Sequence, residues 1–195
     1  MSLRFRTLRG AEVADAIPAL AELRIDVFRD WPYLYDGDEA YEARYLESYR
    51  DCSRSVVVLA ENSDGEIVGA ATGMPARDHA DVAGAYASLS RPGMEIFYCA
   101  ESVLRPEYRG LGAGHRFFEA REAHARDLGA THASFCAVTR PADHPARPDG
   151  ARDLHPFWRK RGYAPVPGAV LEMSWRDLGA TEESAKPLQI WMRAL

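Results

Sequence analysis

Apolar and polar residues alternate at the start of the chain, Leu3-Arg-Phe-Arg-Thr-Leu8, which predicts a first strand. The period then changes. From Ala11 to Phe28, Val13, Ile17, Leu20, Ile25 and Phe28 can share one inward helical face, with Pro18 placed to kink or divide the run. Trp31 to Gly37 is rich in turn formers, and a second helix is predicted from about Asp38, with Tyr41, Tyr45 and Tyr49 along one side. Ser55 to Ala60, a turn at Asn62 to Gly65 and a return strand at Glu66 to Met74 form a hairpin pattern, and Ala76 to Arg91 reads as a short helix or an insert.

Met94 to Ala100 is apolar and aromatic and predicts a strand that runs on to Val103-Leu104; a helical pattern from His115 to Leu128 follows, ended by Gly129. On that helix Phe117, Ala120, His124 and Leu128 fall near one face, while Arg121, Glu122 and Arg126 suit solvent. Thr131 to Thr139 is strand-like, and Arg140 to Arg152 holds three prolines without apolar periodicity, so it predicts an irregular loop. Asp153 is placed to cap a short helix through Arg161, and Ala169–Trp175 and Pro187–Arg193 are the last two strands, with Pro187 expected at a strand start. The order β-α-α-β-β-β-α-β-α-β-β is that of an α/β (α+β) fold with a mixed sheet. Neither repeats nor linkers divide residues 1–195, so one domain is expected.

Between the Met94 strand and the His115 helix stand Arg109 and three glycines, Gly110, Gly112 and Gly114. Glycines there remove the Cβ atoms that would hold a ligand off the backbone, and the N–H groups opening the helix lack internal partners and carry partial positive charge. The result is an anion cradle suited to a pyrophosphate. A dinucleotide fingerprint would need glycine where His115 stands, and the Gly-Lys-Ser/Thr end of a P-loop is absent. What remains is Arg-x-x-Gly-x-Gly after a strand ending in Val103-Leu104 and a Pro106-Glu107-Tyr108 turn.

This arrangement resembles the signature of the GNAT superfamily of acyl-CoA-dependent N-acyltransferases. The resemblance is strongest from Ile96 to Leu128 and again at Phe157 to Tyr163, and Tyr33-Leu-Tyr-Asp-Gly37 with Arg140-Pro-Ala-Asp-His-Pro145 is similar to a bacterial subgroup. It implies a mixed, mostly antiparallel sheet flanked by helices, with acetyl-CoA as co-substrate. It also implies backbone contacts from Val103 and Leu104 to the pantetheine arm, and a cradle made of Arg109, Gly110, Leu111, Gly112, Ala113, Gly114 and His115. The side chain of His115, like that of His124, reads as a packing or surface group.

Acylation of an amine with a pKa near 10.4 needs a base near neutrality. Glu101, two residues before Val103, shares its face in a regular strand and is the candidate base; the competing reading pairs it with Arg105 or Arg109. Glu95 is the fallback. Many GNAT enzymes carry an acid tyrosine where this chain has Trp158, which has no proton to give, so Tyr98 or Tyr163 would have to substitute unless the thiol leaves unaided. Asp143 and His144 could orient an acceptor, and His155 less so; His79 and His132 offer nothing specific. Cys99 and Cys136 lie in apolar strands and read as small hydrophobes.

The segment from Asp26 to Asp51 holds eight acidic residues against three arginines, a net charge of −5, together with Phe28, Trp31 and five tyrosines. Carboxylates and aromatic faces both attract an ammonium, and the resemblance places this region on the acceptor cleft. Tyr33, Tyr35, Tyr98, Asp143 and His144 are the candidate acceptor contacts. The competing reading is a solvated helix whose tyrosines pack on the sheet.

Composition narrows the partners. A whole-chain charge of −5 argues against nucleic acid and anionic membranes, no apolar run approaches a membrane span, and Met-Ser-Leu-Arg-Phe-Arg has no signal-peptide core. Three cysteines without metal spacing fit a reducing cytoplasm and no metal. The expected partner is a small-molecule amine, with a homodimer left open. Three functions remain: acetyl transfer to a primary amine, an acyl-CoA-sensing module without turnover, and a nucleotide-binding regulatory protein using the same cradle.

Overall fold

The computed structural model describes residues 2–195. Seven strands form one sheet: β1 (Arg4–Leu8), β2 (Val56–Glu61), β3 (Ile67–Pro75), β4 (Ile96–Leu104), β5 (His132–Val138), β6 (Ala164–Arg176) and β7 (Glu183–Ala194). Their spatial order is β1-β2-β3-β4-β5-β7-β6, antiparallel throughout except between β4 and β5. The helices are α1 (Ile17–Phe28), α2 (Glu39–Asp51), α3 (Ala83–Leu89), α4 (Ala113–Asp127) and α5 (His155–Lys160). None among the described residues is long and apolar enough to cross a membrane.

Alternation along the strands divides the core. Val57 and Leu59 of β2 pack with Leu20, Leu23, Leu46 and Tyr49 under α1 and α2, while Val56, Val58 and Ala60 face Phe117 and Phe118 of α4 on the other side. A third cluster joins Val82 and Tyr86 to Tyr98, Cys136, Leu188 and Ile190. Pro18 does divide the first helical run: a 3-10 segment, Gly10–Ala16, precedes α1, and the proline occupies its first turn, where no N–H is missed. Asp38 caps α2 by accepting the Tyr41 N–H at 2.8 Å.

Three expectations change. The Ala76–Arg91 region contributes α3, an element beyond the predicted order. Pro187 lies inside β7, not at its start. Its carbonyl accepts from Thr139 N–H just past the end of β5; a strand residue's N–H and C=O share a side, so the missing donor falls where no ladder remains. On α4, Arg121 and Glu122 are buried rather than solvated. Glu122 accepts from Tyr163 Oη and pairs with Arg161 and Arg193, so the polar pattern marked partners and not water.

Candidate active site

Parallel β4 and β5 pair over only three residues, from Ile96 with His132 to Tyr98 with Ser134. Beyond these β4 follows β3 and β5 follows β7, so the two part and leave a gap at their carboxyl ends, where α/β sheets take ligands. A bulge sits beside it. Gly73 faces Cys99 and Ala71 faces Ser102, so Ala100 and Glu101 together oppose Thr72. The extra residue keeps Glu101 on the α1–α2 face with Val103; strict alternation from Cys99 would turn it toward α4. From α4, Arg121 closes the bulge, donating to the carbonyls of Thr72 (3.1 Å) and Glu101 (2.9 Å) and to Ser102 Oγ (2.8 Å).

The partner of Glu101 is neither Arg105, which pairs with Asp26, nor Arg109, which reaches Asp30. It is Arg24 of α1, whose guanidinium bridges Glu101 and Glu42. All three are buried. Burial works against the Arg24 charge, and Glu101, Tyr45 and Glu42 overturn it, so the guanidinium stays protonated. It also lies over the Tyr45 ring at 4.2 Å. Tyr45 Oη donates to the other Glu101 oxygen at 3.0 Å. Glu42⁻, Arg24⁺ and Glu101⁻ together carry one net negative charge out of water, and one added proton brings the cluster to zero.

Glu101 lies on the wall of a cavity of about 730 Å³ that reaches from the β4–β5 gap, at Ala100 and Cys136, out between the α1–α2 connection and the β6–β7 hairpin. Of the expected acceptor contacts, Tyr33, Tyr35 and Tyr98 line it. Burial pushes the Tyr33 hydroxyl up to about 12 and Tyr98 well above its ordinary range, so both stay neutral. Asp143 and His144 do not line it; His144 packs on Trp31, ring centres 5.3 Å apart. Four lining carboxylates, Asp38, Asp81, Glu172 and Glu183, form no ion pair among the described residues. Glu172 and Glu183, from β6 and β7, carried no signal in the sequence, because only the hairpin's return brings them to α2.

The glycine turn stands at the start of α4. Gly110 and Gly112 have φ of 83° and 84°, and nothing lies within 4 Å of where a Cβ would stand on either. The N–H groups of Leu111, Gly112, Ala113 and Gly114 find no backbone acceptor among the described residues, and the first turn of α4 carries no acid. His115 is exposed, with Arg161 3.2 Å from its Nδ1. Arg109 is exposed and donates to the Leu104 carbonyl at 3.3 Å. Arg105 N–H binds Val68 in the β3 ladder, so alternation turns Val103 toward β3 and leaves the Leu104 backbone facing the gap. A bare turn of free donors continuous with a strand gap fits a pyrophosphate and its extended arm.

Other candidates fall outside the cavity. Glu95 is exposed and pairs with Arg77. Trp158 packs against Phe135 and Trp191, and Tyr163 bonds Glu122 beneath α4. Cys136 does line the cavity, but burial raises its thiol to about 11, far from a thiolate at neutral pH.

The family profile described as Acetyltransferase (GNAT) family matches residues 20–163. The chain belongs to the GNAT acetyltransferase family. No curated protein sequence matches it. Among solved structures it is similar to ribosomal-protein-alanine N-acetyltransferase from Brucella melitensis, at 16% identity over 100% of this chain and 100% of that one, TM-score 0.61. It is also similar to arylalkylamine N-acetyltransferase 2 from Aedes aegypti (15%, 100% and 99%, TM-score 0.57) and to the NatC complex bound to a Gag peptide and CoA (11%, 100% and 99%, TM-score 0.58). Likenesses this remote speak to the fold. In this GNAT protein acetyl transfer is the family's chemistry, and the charge-bridged wall at Glu101 borders its cavity.

Proposed function

We propose that this GNAT protein moves an acetyl group from acetyl-CoA to a primary amine of a small cationic acceptor by direct attack on the thioester. The observation that carries the reading is Glu101, standing between the β4–β5 gap and an acidic, aromatic-walled cavity. Acetyl-CoA, when bound, supplies the activated acetyl group. The chain's residues do the rest. Backbone N–H groups from Leu111 to Gly114 hold the pyrophosphate, with Arg109 adding charge, and the Leu104 backbone meets the arm. Glu101 accepts the amine proton, which neutralises the Arg24 cluster. Tyr33, Tyr35 and the unpaired carboxylates at the mouth favour an acceptor bearing a further positive charge. A thiol with a pKa near 8.5 leaves with little help.

The alternative, an acyl-CoA-binding module without turnover, draws support from one fact: both Glu101 oxygens are already engaged. Free-thiol release with an amine panel separates the two. The proposed enzyme releases thiol, prefers an amine with a second positive charge over its neutral analogue, and loses that preference in salt. Equal use of both amines at low and high salt removes the cationic acceptor, and release from no amine leaves the binding module. Glu101→Gln is expected to lower the rate by about 10²–10⁴-fold with CoA affinity retained. A near-normal rate takes Glu101 out of the chemistry.

A further inference from the structure

His79 follows a 3-10 turn, Ala76–Asp78, and the cavity wall does not include it, yet it is buried. Its Nε2 lies 3.3 Å from Tyr45 Oη, which in turn donates to Glu101 Oε2 at 3.0 Å. Tyr49 Oη is 3.0 Å from Tyr45 Oη and shares the bond network. Thus an imidazole, a phenol and the candidate base stand in line within hydrogen-bonding distance of one another, leading away from the space the two substrates would fill. We propose that Tyr45 and His79 relay the proton that Glu101 accepts, an inference that rests on Glu101 being the base.

The need is physical. Glu101 is buried, and an acceptor in the cavity with a thioester in the gap would close its route to water. With Glu101 ionised, the Tyr45 proton points to its carboxylate. Once the amine nitrogen has passed a proton to Glu101 Oε2, that O–H donates to Tyr45 Oη, and the Tyr45 proton moves to the lone pair of His79 Nε2. One proton has then travelled from amine to imidazole. Glu101 is again a carboxylate and Tyr45 again a neutral phenol. Since His79 Nδ1 is buried without a partner among the described residues, the imidazolium returns the proton along the same chain once the product leaves and water re-enters the cavity.

The surroundings suit a temporary holder. The groups facing His79 are Tyr45 and Tyr49 from α2, Tyr98 and Glu101 from β4, Arg24 from α1, and Asp81 from its own segment. Asp78, beside it in sequence, is taken by Arg54 at 2.5 Å. Burial, ahead of these charges, holds the imidazole below its ordinary pKa. It is therefore neutral and able to accept near pH 7, and as an imidazolium it gives the proton up.

The test measures single-turnover rates against pH and in mixtures of light and heavy water, for the wild type, His79→Gln, Tyr45→Phe and Glu101→Gln. His79→Gln keeps a hydrogen-bond acceptor beside Tyr45 but cannot be protonated, which separates relay from mere positioning. Expected are a rate lower by about tenfold or more, short of the full general-base loss, an unchanged KM for both substrates, and disappearance of the acid limb that the imidazole sets. The wild-type rate should bow with deuterium fraction, as several moving protons require, and straighten in both His79→Gln and Tyr45→Phe. A His79→Gln enzyme matching the wild type in rate, pH profile and isotope response overturns the relay. So does a linear isotope response in the wild type, whether or not the variants fold. Glu101→Gln with an undiminished rate sinks the base reading instead, so the two failures are told apart.

Discussion

The glycine turn and the Arg24 cluster flank the same gap, yet they are built in opposite ways. The turn is six consecutive residues, exposed from Arg109 to Gly112, and offers main-chain donors at a helix start. The cluster draws one charged or polar side chain each from α1 and β4 and two from α2, with Tyr45 and Glu101 56 residues apart and the three charged members buried. A contiguous main-chain site can lose its ligand while the fold survives. A buried charge cluster cannot lose a member without exposing the rest to an environment that does not solvate them.

The sharpest break of that contrast is Arg24→Leu. It leaves Glu42 and Glu101 buried without their cation and should cost about 3–5 kcal/mol in urea unfolding, recovered in large part by adding Glu42→Gln and Glu101→Gln. A loss near zero would mean that the bridge does not hold in solution. Next comes Arg121→Met, which orphans the carbonyls of Thr72 and Glu101 at the bulge. About 1–3 kcal/mol of stability should go, with a fall in turnover beyond that seen for a surface variant of equal stability. Unchanged turnover would show that the bulge keeps its shape without Arg121.

Gly112→Val tests the other side of the comparison. A left-handed residue with a Cβ costs about 1–2 kcal/mol, and the branched side chain should weaken CoA binding by about tenfold or more, while the urea midpoint moves far less than in Arg24→Leu. Unaltered CoA affinity in a folded variant removes the cradle assignment. The smallest effect belongs to the loop clamp. Arg140 donates two bonds to Asp177, at 2.9 and 2.8 Å, and two more to the carbonyls of Pro32 and Tyr33. The Arg140 hydrogen bond, ahead of other causes, holds the Asp177 carboxyl below its ordinary 3.8. Since the folded value is the lower one, the stabilisation is complete above pH 3.8 and is lost as pH falls through the folded value. Melting curves from about pH 5 to about pH 2 should fall more steeply for the wild type than for Asp177→Asn; parallel curves would show that the clamp does not carry the loop.

Particular residues show how far each level could be read. The Arg109–Gly114 turn was legible because every part of it is local: glycines where φ is positive, then a helix whose first donors are free. The helix start near Asp38 and Pro18 as a divider were legible for the same reason. Arg121 and Glu122 were misread because a polar residue on a helix looks the same whether it meets water or a buried partner. The tyrosines of α2 split by depth, with Tyr49 buried and Tyr41 exposed, which equal spacing cannot foretell. Trp158, standing where many GNAT enzymes carry the acid tyrosine, packs against Phe135 and Trp191.

By itself, then, the sequence determined the element order apart from α3, the hairpin, the glycine turn before α4 and the family, since periodicity, turn chemistry and caps act over a few residues. Only the tertiary structure decided which cation holds Glu101, that His79 joins it through Tyr45, and that Glu172 and Glu183 close the acidic mouth. Those contacts are set by strand register, by a one-residue bulge in β4 and by the return of a long hairpin. A shift of one residue in any of them turns a side chain to the opposite face.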